Sequence, residues 1–149
     1  MKKYEHIVVE CSIEEKGIEQ ILTLKDSPIL ESAKKVTLLH IYSKDMEGFL
    51  PTSLDKSNMD EVEKHVYSIL EDIREKLKGN IETCEWSEVC ILSNDPKIKA
   101  IEHLKSTSAD LVISATKGNH GITYYNRSDS FSYYLIENSP CDIYVIRPN

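Results

Sequence analysis

The stretch ADLVISATKGNHG, residues 109–121, is an apolar run that stops abruptly in a small-residue loop holding Gly118 and Gly121. Beyond it, Phe131, Tyr134 and Leu135 fall at helical spacing, a pattern that opens near Ser128 or Ser130. Strand, glycine loop and helix in that order is how α/β proteins present backbone N–H groups to phosphate, because the first helical turn leaves its amides unpaired. The residues that follow the run are therefore the first candidate site.

Working outward, DIYVIR (142–147) reads as the next strand, and VTLLHIY (36–42) is apolar enough for burial on both faces, as in parallel sheets. Tyr4 to Val9 and the segment around Trp86, Val89, Cys90 and Ile91, within 81–92, give two more strands. Between strands, Val62, Val66, Ile69, Leu70, Ile73 and Leu77 recur at separations of three and four, one stripe of a helix that Gly79 should stop. Asn94, Asp95 and Pro96 supply a cap and a first-turn proline for a helix bearing Ile98, Ile101 and Leu104. Ser12 and Glu15 have the spacing of a capping box, so a helix is expected to start at Ser12, carry Ile13, Ile18, Ile21 and Leu22, and end or kink at the Lys25–Pro28 cluster. Residues 43–56 read as a loop or flap. The order β-α-β-α-β-α-β-α-β predicts an α/β domain with a parallel sheet, helices on both faces and right-handed crossovers.

The chain has 149 residues, 40% hydrophobic and 29% charged, which fits one domain over 1–149. No apolar run approaches the roughly 18 residues of a membrane span, and the apolar stretch after Lys2 and Lys3 is too short for a signal-peptide core. A cytoplasmic protein is expected, with no membrane contact. The net charge of −7 argues against a nucleic-acid footprint, since that affinity comes from neutralising phosphates. Cys11, Cys84, Cys90 and Cys141 form no CxxC pair and lack histidines at zinc-finger spacing, so four reduced, mostly buried thiols are expected and no metal site.

Several separated segments together resemble the universal stress protein family. ADLVISATKG is similar to the family's ADLIVMGTRG-type segment, SPCDIYVIR to its APCPVLVVR-type final strand, VTLLHIY to its second strand, and NDP precedes the third helix as GDP does there. The resemblance spans nearly the whole chain and implies a doubly wound, five-stranded parallel sheet of order 3-2-1-4-5. Ligands of such sheets bind outside the carboxyl ends of the strands where the winding reverses. Here that place is lined by Glu10, Cys11 and Ser12 on one side and residues 115–121 on the other.

Nucleotide-binding members carry Gly-x2-Gly-x9-Gly-Ser/Thr after the fourth strand. The alignment puts Ala115 at the first glycine, Gly118 at the second with Asn119 beside it, Asp129 at the third and Ser130 at the hydroxyl position. Two glycines are thus replaced, ten residues rather than nine separate Gly118 from Asp129, and Glu10 stands where an aspartate faces the ribose. Ile41 matches the position whose backbone meets adenine, and Val8 and Val9 match its neighbours. A second register uses Gly118 and Gly121, with Phe131 at the third glycine and Ser132 at the hydroxyl.

Glycines there let the backbone approach phosphate and take positive φ. Ala115 adds one methyl. Asp129 matters more, because a carboxylate about 5 Å from a phosphate charge costs roughly 3 kcal/mol at an effective dielectric of about 20. Asp129 also admits a bland reading, since an acidic residue in the first turn of a helix is favoured by the helix dipole, and in that case the anion site is filled from within. Lys117, His120 and Arg127 either offset that charge or are solvated. The expectation is weak or absent ATP binding and no required cofactor; the alternative is a sensor that binds ATP or AMP, with Mg²⁺, with slow or no hydrolysis. A third reading, an adenine-nucleotide-using enzyme, lacks a catalytic constellation in the sequence.

Ser12 reads as a cap, His120 as a loop residue, His40 as a satisfied interior or edge histidine, and Tyr124, Tyr125, Tyr133 and Tyr134 as packing around the fourth helix. The fifth strand should lie at a sheet edge, and an open edge invites pairing. The family resemblance likewise implies a homodimer through this strand, with Asp142, Ile143, Tyr144, Val145, Ile146 and Arg147 at the interface.

Overall fold

The computed structural model describes residues 3–43, 54, 58–79, 84–116 and 131–148. In chain order the elements are β1 (His6–Glu10), α1 (Glu15–Leu22), two 3₁₀ turns (Thr23–Asp26 and Pro28–Leu30), β2 (Lys35–Tyr42), α2 (Met59–Lys78), β3 (Glu85–Leu92), α3 (Pro96–Ser106), β4 (Leu111–Ala115), α4 (Phe131–Asn138) and β5 (Asp142–Ile146). The five strands form one parallel sheet of order β3-β2-β1-β4-β5, the expected doubly wound α/β arrangement. The 43–56 loop, apart from Ser43 and Leu54, and the opening of α4 before Phe131 lie outside the described residues.

Strand side chains alternate between two apolar layers. Ile7, Val9, Val36, Leu38, Leu111 and Ile113 pack with Ile21 of α1 and with Val66, Leu70, Ile73 and Leu77 of α2. Val8, Leu39, Ile41 and Val112 pack with Ala100, Ile101 and Leu104 of α3 and Leu135 of α4. The apolar stripe read along α2 is this buried face. Asn58 caps α2, accepting from the amides of Asp60 and Glu61, and Gly79 ends it at φ +43°, a left-handed backbone that favours glycine. Asp95 caps α3, and Pro96 takes its first position.

The first strand begins later than Tyr4. An anchor precedes it: Asp110 accepts from the amides of Glu5 (2.8 Å) and His6 (2.9 Å), and the Glu5 carbonyl takes the amides of Lys34 and Lys35. The capping box also does not form. Ser12 Oγ accepts from the Glu14 amide at 2.9 Å in a local turn, so α1 starts at Glu15, with Glu14 before it and no side-chain cap. The reason is steric as well as local, because Ser12 lies against the helix itself: a Cβ on Gly17 would fall 2.4 Å from Ser12 Cβ and 2.6 Å from its Oγ.

Candidate functional site

The middle strand parts from one neighbour at its carboxyl end. β1 pairs with β4 only as far as Val9↔Ile113, whereas its pairing with β2 runs on to Glu10↔Leu39 and then to a Cys11 amide bond with the Leu39 carbonyl (2.7 Å). β4 leans the other way, pairing with β5 to Ala115↔Ile146 and then through the Thr116 amide to the Ile146 carbonyl (2.9 Å). Backbone that hydrogen-bonds in opposite directions must separate, and a crevice opens between Glu10 and Ala115. It lies at the reversal of winding, where doubly wound sheets bind ligands.

A polar chain lines it. Ser114 Oγ lies 3.4 Å from Glu10 Oε2 and 2.9 Å from Ser132 Oγ, and Ser132 Oγ donates to the Ala115 carbonyl at 3.2 Å. Ser114 and Ser132 are buried, at 0% and 5% exposure, and Glu10 is half-buried. Three links need three protons, and the two hydroxyls hold two. A protonated Glu10 supplies the third, whereas ionisation leaves the chain one donor short among the described residues. Burial pushes the Glu10 carboxyl up from 4.5 to about 7, with the Ser114 hydroxyl pulling part of that back. Near neutrality Glu10 is therefore a proton-exchanging group.

On the other side of the crevice, Gln20 of α1 donates through Nε2 to the Thr116 carbonyl at 2.7 Å. The peptide leaving β4 is thus held by α1 and β5 together. Behind β1, His40 is buried (2% exposed), and its Nδ1 bonds the Cys11 carbonyl at 2.7 Å. A carbonyl only accepts, so Nδ1 carries the proton. Among the described residues His40 Nε2 has no hydrogen-bond partner, so this interior histidine is half satisfied there rather than satisfied. The ring stacks parallel to Tyr42 at 6.4 Å, and burial pushes its pKa down, which keeps it neutral. The neighbouring Cys11 thiol is pushed up by burial and then by Glu10.

Of the residues the sequence singled out, Val8 (0% exposed) and Ile41 (5%) share the layer under α3 and α4, while Val9 is buried in the opposite layer. Glu10 and the half-buried Ala115 flank the crevice. Gly118, Asn119, Asp129 and Ser130, with Lys117, His120, Gly121, Tyr124, Tyr125 and Arg127, lie outside the described residues. Tyr134 packs against the α3/α4 layer with Lys97 Nζ 5.9 Å from its ring centroid. All four cysteines are free, Cys11 and Cys84 buried, Cys90 and Cys141 half-buried. On β5, Tyr144 is 42% exposed and Asp142 accepts from Tyr4 Oη at 2.9 Å, whereas Ile146 (8%) belongs to the core.

Sequence reasoning missed Ser114 and Gln20, and it considered Ser132 only as a hydroxyl for phosphate. The signal for Ser114 was its place as the one hydroxyl inside DLVISA. Gln20 carries no such mark, because its partner is a main-chain carbonyl 96 residues away.

No protein-family model and no curated protein sequence matches this chain. Solved structures do. The universal stress protein UspA from Lactobacillus plantarum aligns over 99% of this chain and 100% of its own, with TM-score 0.71 and 16% identity. A universal stress protein in complex with cAMP aligns over 99% and 100%, with TM-score 0.69 and 15% identity. A universal stress protein family protein from Arabidopsis thaliana with AMP bound aligns over 97% and 92%, with TM-score 0.62 and 13% identity. The chain has the fold of these proteins. None of its described helices is long and apolar enough to cross a membrane.

Proposed function

We propose that this chain is a universal stress protein-like regulatory or binding module whose β1/β4 crevice takes adenine nucleotides of low phosphate charge, and ATP weakly or not at all. The parting of β1 from β4 around the Glu10 carboxyl carries the reading, since that group sits at the crevice that the fold reserves for ligands. Similar structures hold cAMP and AMP. Glu10 is suited to a ribose hydroxyl, Val8 and Ile41 to the base, and the backbone from Ala115 through Gly118 and Asn119 to Ser130 to phosphate. Ala115 and Asp129 in place of glycines work against a triphosphate, Asp129 by charge and Ala115 by bulk.

Titration calorimetry of dialysed protein with AMP, cAMP and ATP tests this. The monophosphates are expected to bind at least about tenfold more tightly than ATP, a gap of about 1.4 kcal/mol. Low-micromolar ATP affinity would overturn the degenerate-site reading in favour of an ATP sensor. Failure of all three to bind at millimolar concentration would overturn the nucleotide reading. The same proposal has residues 1–149 acting as one domain in the cytoplasm, as a homodimer joined at β5 with Tyr144 as its exposed anchor.

A further inference from the structure

β3 is the other edge of the sheet, paired with β2 along eight residues from Lys35↔Glu85 to Tyr42↔Leu92. The amide of Glu85 bonds the Lys34 carbonyl and that of Ser93 bonds the Tyr42 carbonyl, each at 2.9 Å. Odd-numbered residues thus spend their main-chain groups on β2. By the two-residue period of a strand, the main-chain groups of Trp86, Glu88, Cys90 and Leu92 point outward. The strand reads EWSEVCIL, has no proline or glycine, and leaves Leu92 40% exposed. An edge this long and apolar is a template for another strand.

α2 reaches over that edge at two points. Tyr67 Oη accepts the outward amide of Cys90 at 3.3 Å, taking the donor that an incoming strand's carbonyl would need. Two turns later, the Arg74 guanidinium holds the Glu88 carboxylate, whose side chain is only 10% exposed. A charge turned inward on an edge strand is a known block to pairing, because an arriving strand would strand it without water. The helix and strand run in opposite senses here, so that the earlier helix residue meets the later strand residue. Both contacts belong to one stripe of α2 that borders the buried Val66–Leu77 face, against which Tyr67 also packs.

We propose that Tyr67 and the Glu88 carboxylate held by Arg74 guard the β3 edge against pairing with a strand of a second copy of this chain, and so confine self-association to other surfaces. The experiment compares full-length chain carrying Tyr144→Lys, which silences the opposite edge, with the same chain carrying Tyr67→Phe and Glu88→Gln as well, the second removing the inward charge while keeping a partner for Arg74. Sedimentation velocity from low to several hundred micromolar is expected to show a concentration-independent species for the first. The second is expected to shift to a dimer, which Leu92→Lys, a charge on the edge itself, returns to the starting species. A natively folded Tyr67→Phe/Glu88→Gln chain that sediments unchanged overturns the proposal, as does association that Leu92→Lys leaves in place. Should the double substitution fail to fold, Tyr67→Phe alone decides by amide exchange. Loss of one hydrogen bond is expected to speed exchange at Cys90 about fivefold, and an unchanged rate overturns the guard role.

Discussion

Replacing Glu10 with glutamine should make the protein more stable at pH 8 and leave it nearly unchanged at pH 4. The folded state holds the Glu10 carboxyl at about 7 against 4.5 for the ordinary group, because burial disfavours its charge more than Ser114 can offset. The folded chain therefore binds the Glu10 proton more tightly than the unfolded chain. Below pH 4.5 both states are protonated and Glu10 costs nothing. Between pH 4.5 and about 7 the unfolded state ionises first, so stability falls as pH rises, and above that range the loss stays constant. At about 1.4 kcal/mol per pH unit the interval amounts to about 3 kcal/mol.

Glutamine is nearly isosteric, carries no charge, and donates through its amide, which supplies the proton that the Ser114–Ser132–Ala115 chain lacks when Glu10 ionises. Urea titrations of wild type and Glu10→Gln from pH 4 to 8 should diverge only above pH 4.5, reaching about 3 kcal/mol in favour of the variant. For a chain of this length that equals roughly 6 to 12 °C in Tm. A variant less stable than wild type at pH 8, or a difference that does not change with pH, would refute the reasoning.

Gly17→Ala should destabilise the fold by about 1 to 3 kcal/mol, against the usual gain of alanine in a helix, because the new methyl meets Ser12 at 2.4 Å. Chemical denaturation that shows a gain instead would mean that Ser12 moves aside freely. Tyr144→Lys should convert a dimer joined at β5 into a monomer, since it places a charge on an edge strand; sedimentation of wild type and variant as the same species would remove β5 from the interface.

The sheet was legible because its evidence is local and redundant. β2 shows burial on both faces as a nearly unbroken apolar run, α2 shows its buried stripe at separations of three and four, and Asp95–Pro96 marks the start of α3 chemically. The start of α1 was not legible, because Ser12 offers the same hydroxyl to a capping box and to a turn on Glu14, and only the close approach of Gly17 selects the turn. At the site the sequence supplied Glu10 and Ala115 through a family pattern. It could not supply the proton chain through Ser114 and Ser132, 18 residues apart, because hydroxyl partners carry no periodicity.

The two faces of the sheet are built differently, and that difference bears on where the protein can respond to a ligand. The α1/α2 layer is apolar over most of its area and includes the long, well-capped α2. The α3/α4 layer holds the buried hydroxyls of Thr37, Ser114 and Ser132. At one end of it His6 Nε2 contacts Thr37 Oγ1 at 2.9 Å, and Thr37 contacts Ser87 at 3.1 Å; at the other, Glu10, Ser114 and Ser132 tie α4 to the ends of β1 and β4. Apolar contacts resist displacement without regard to proton state, but a hydroxyl chain is only as strong as its supply of donors. A proton gained or lost at Glu10 therefore acts on the attachment of α4 through Ser132, and reaches the opposite layer through the charge it places beside Cys11. A ligand hydroxyl that donates to the Glu10 carboxylate favours its ionised form, and in that way would couple occupancy of the crevice to the seating of α4.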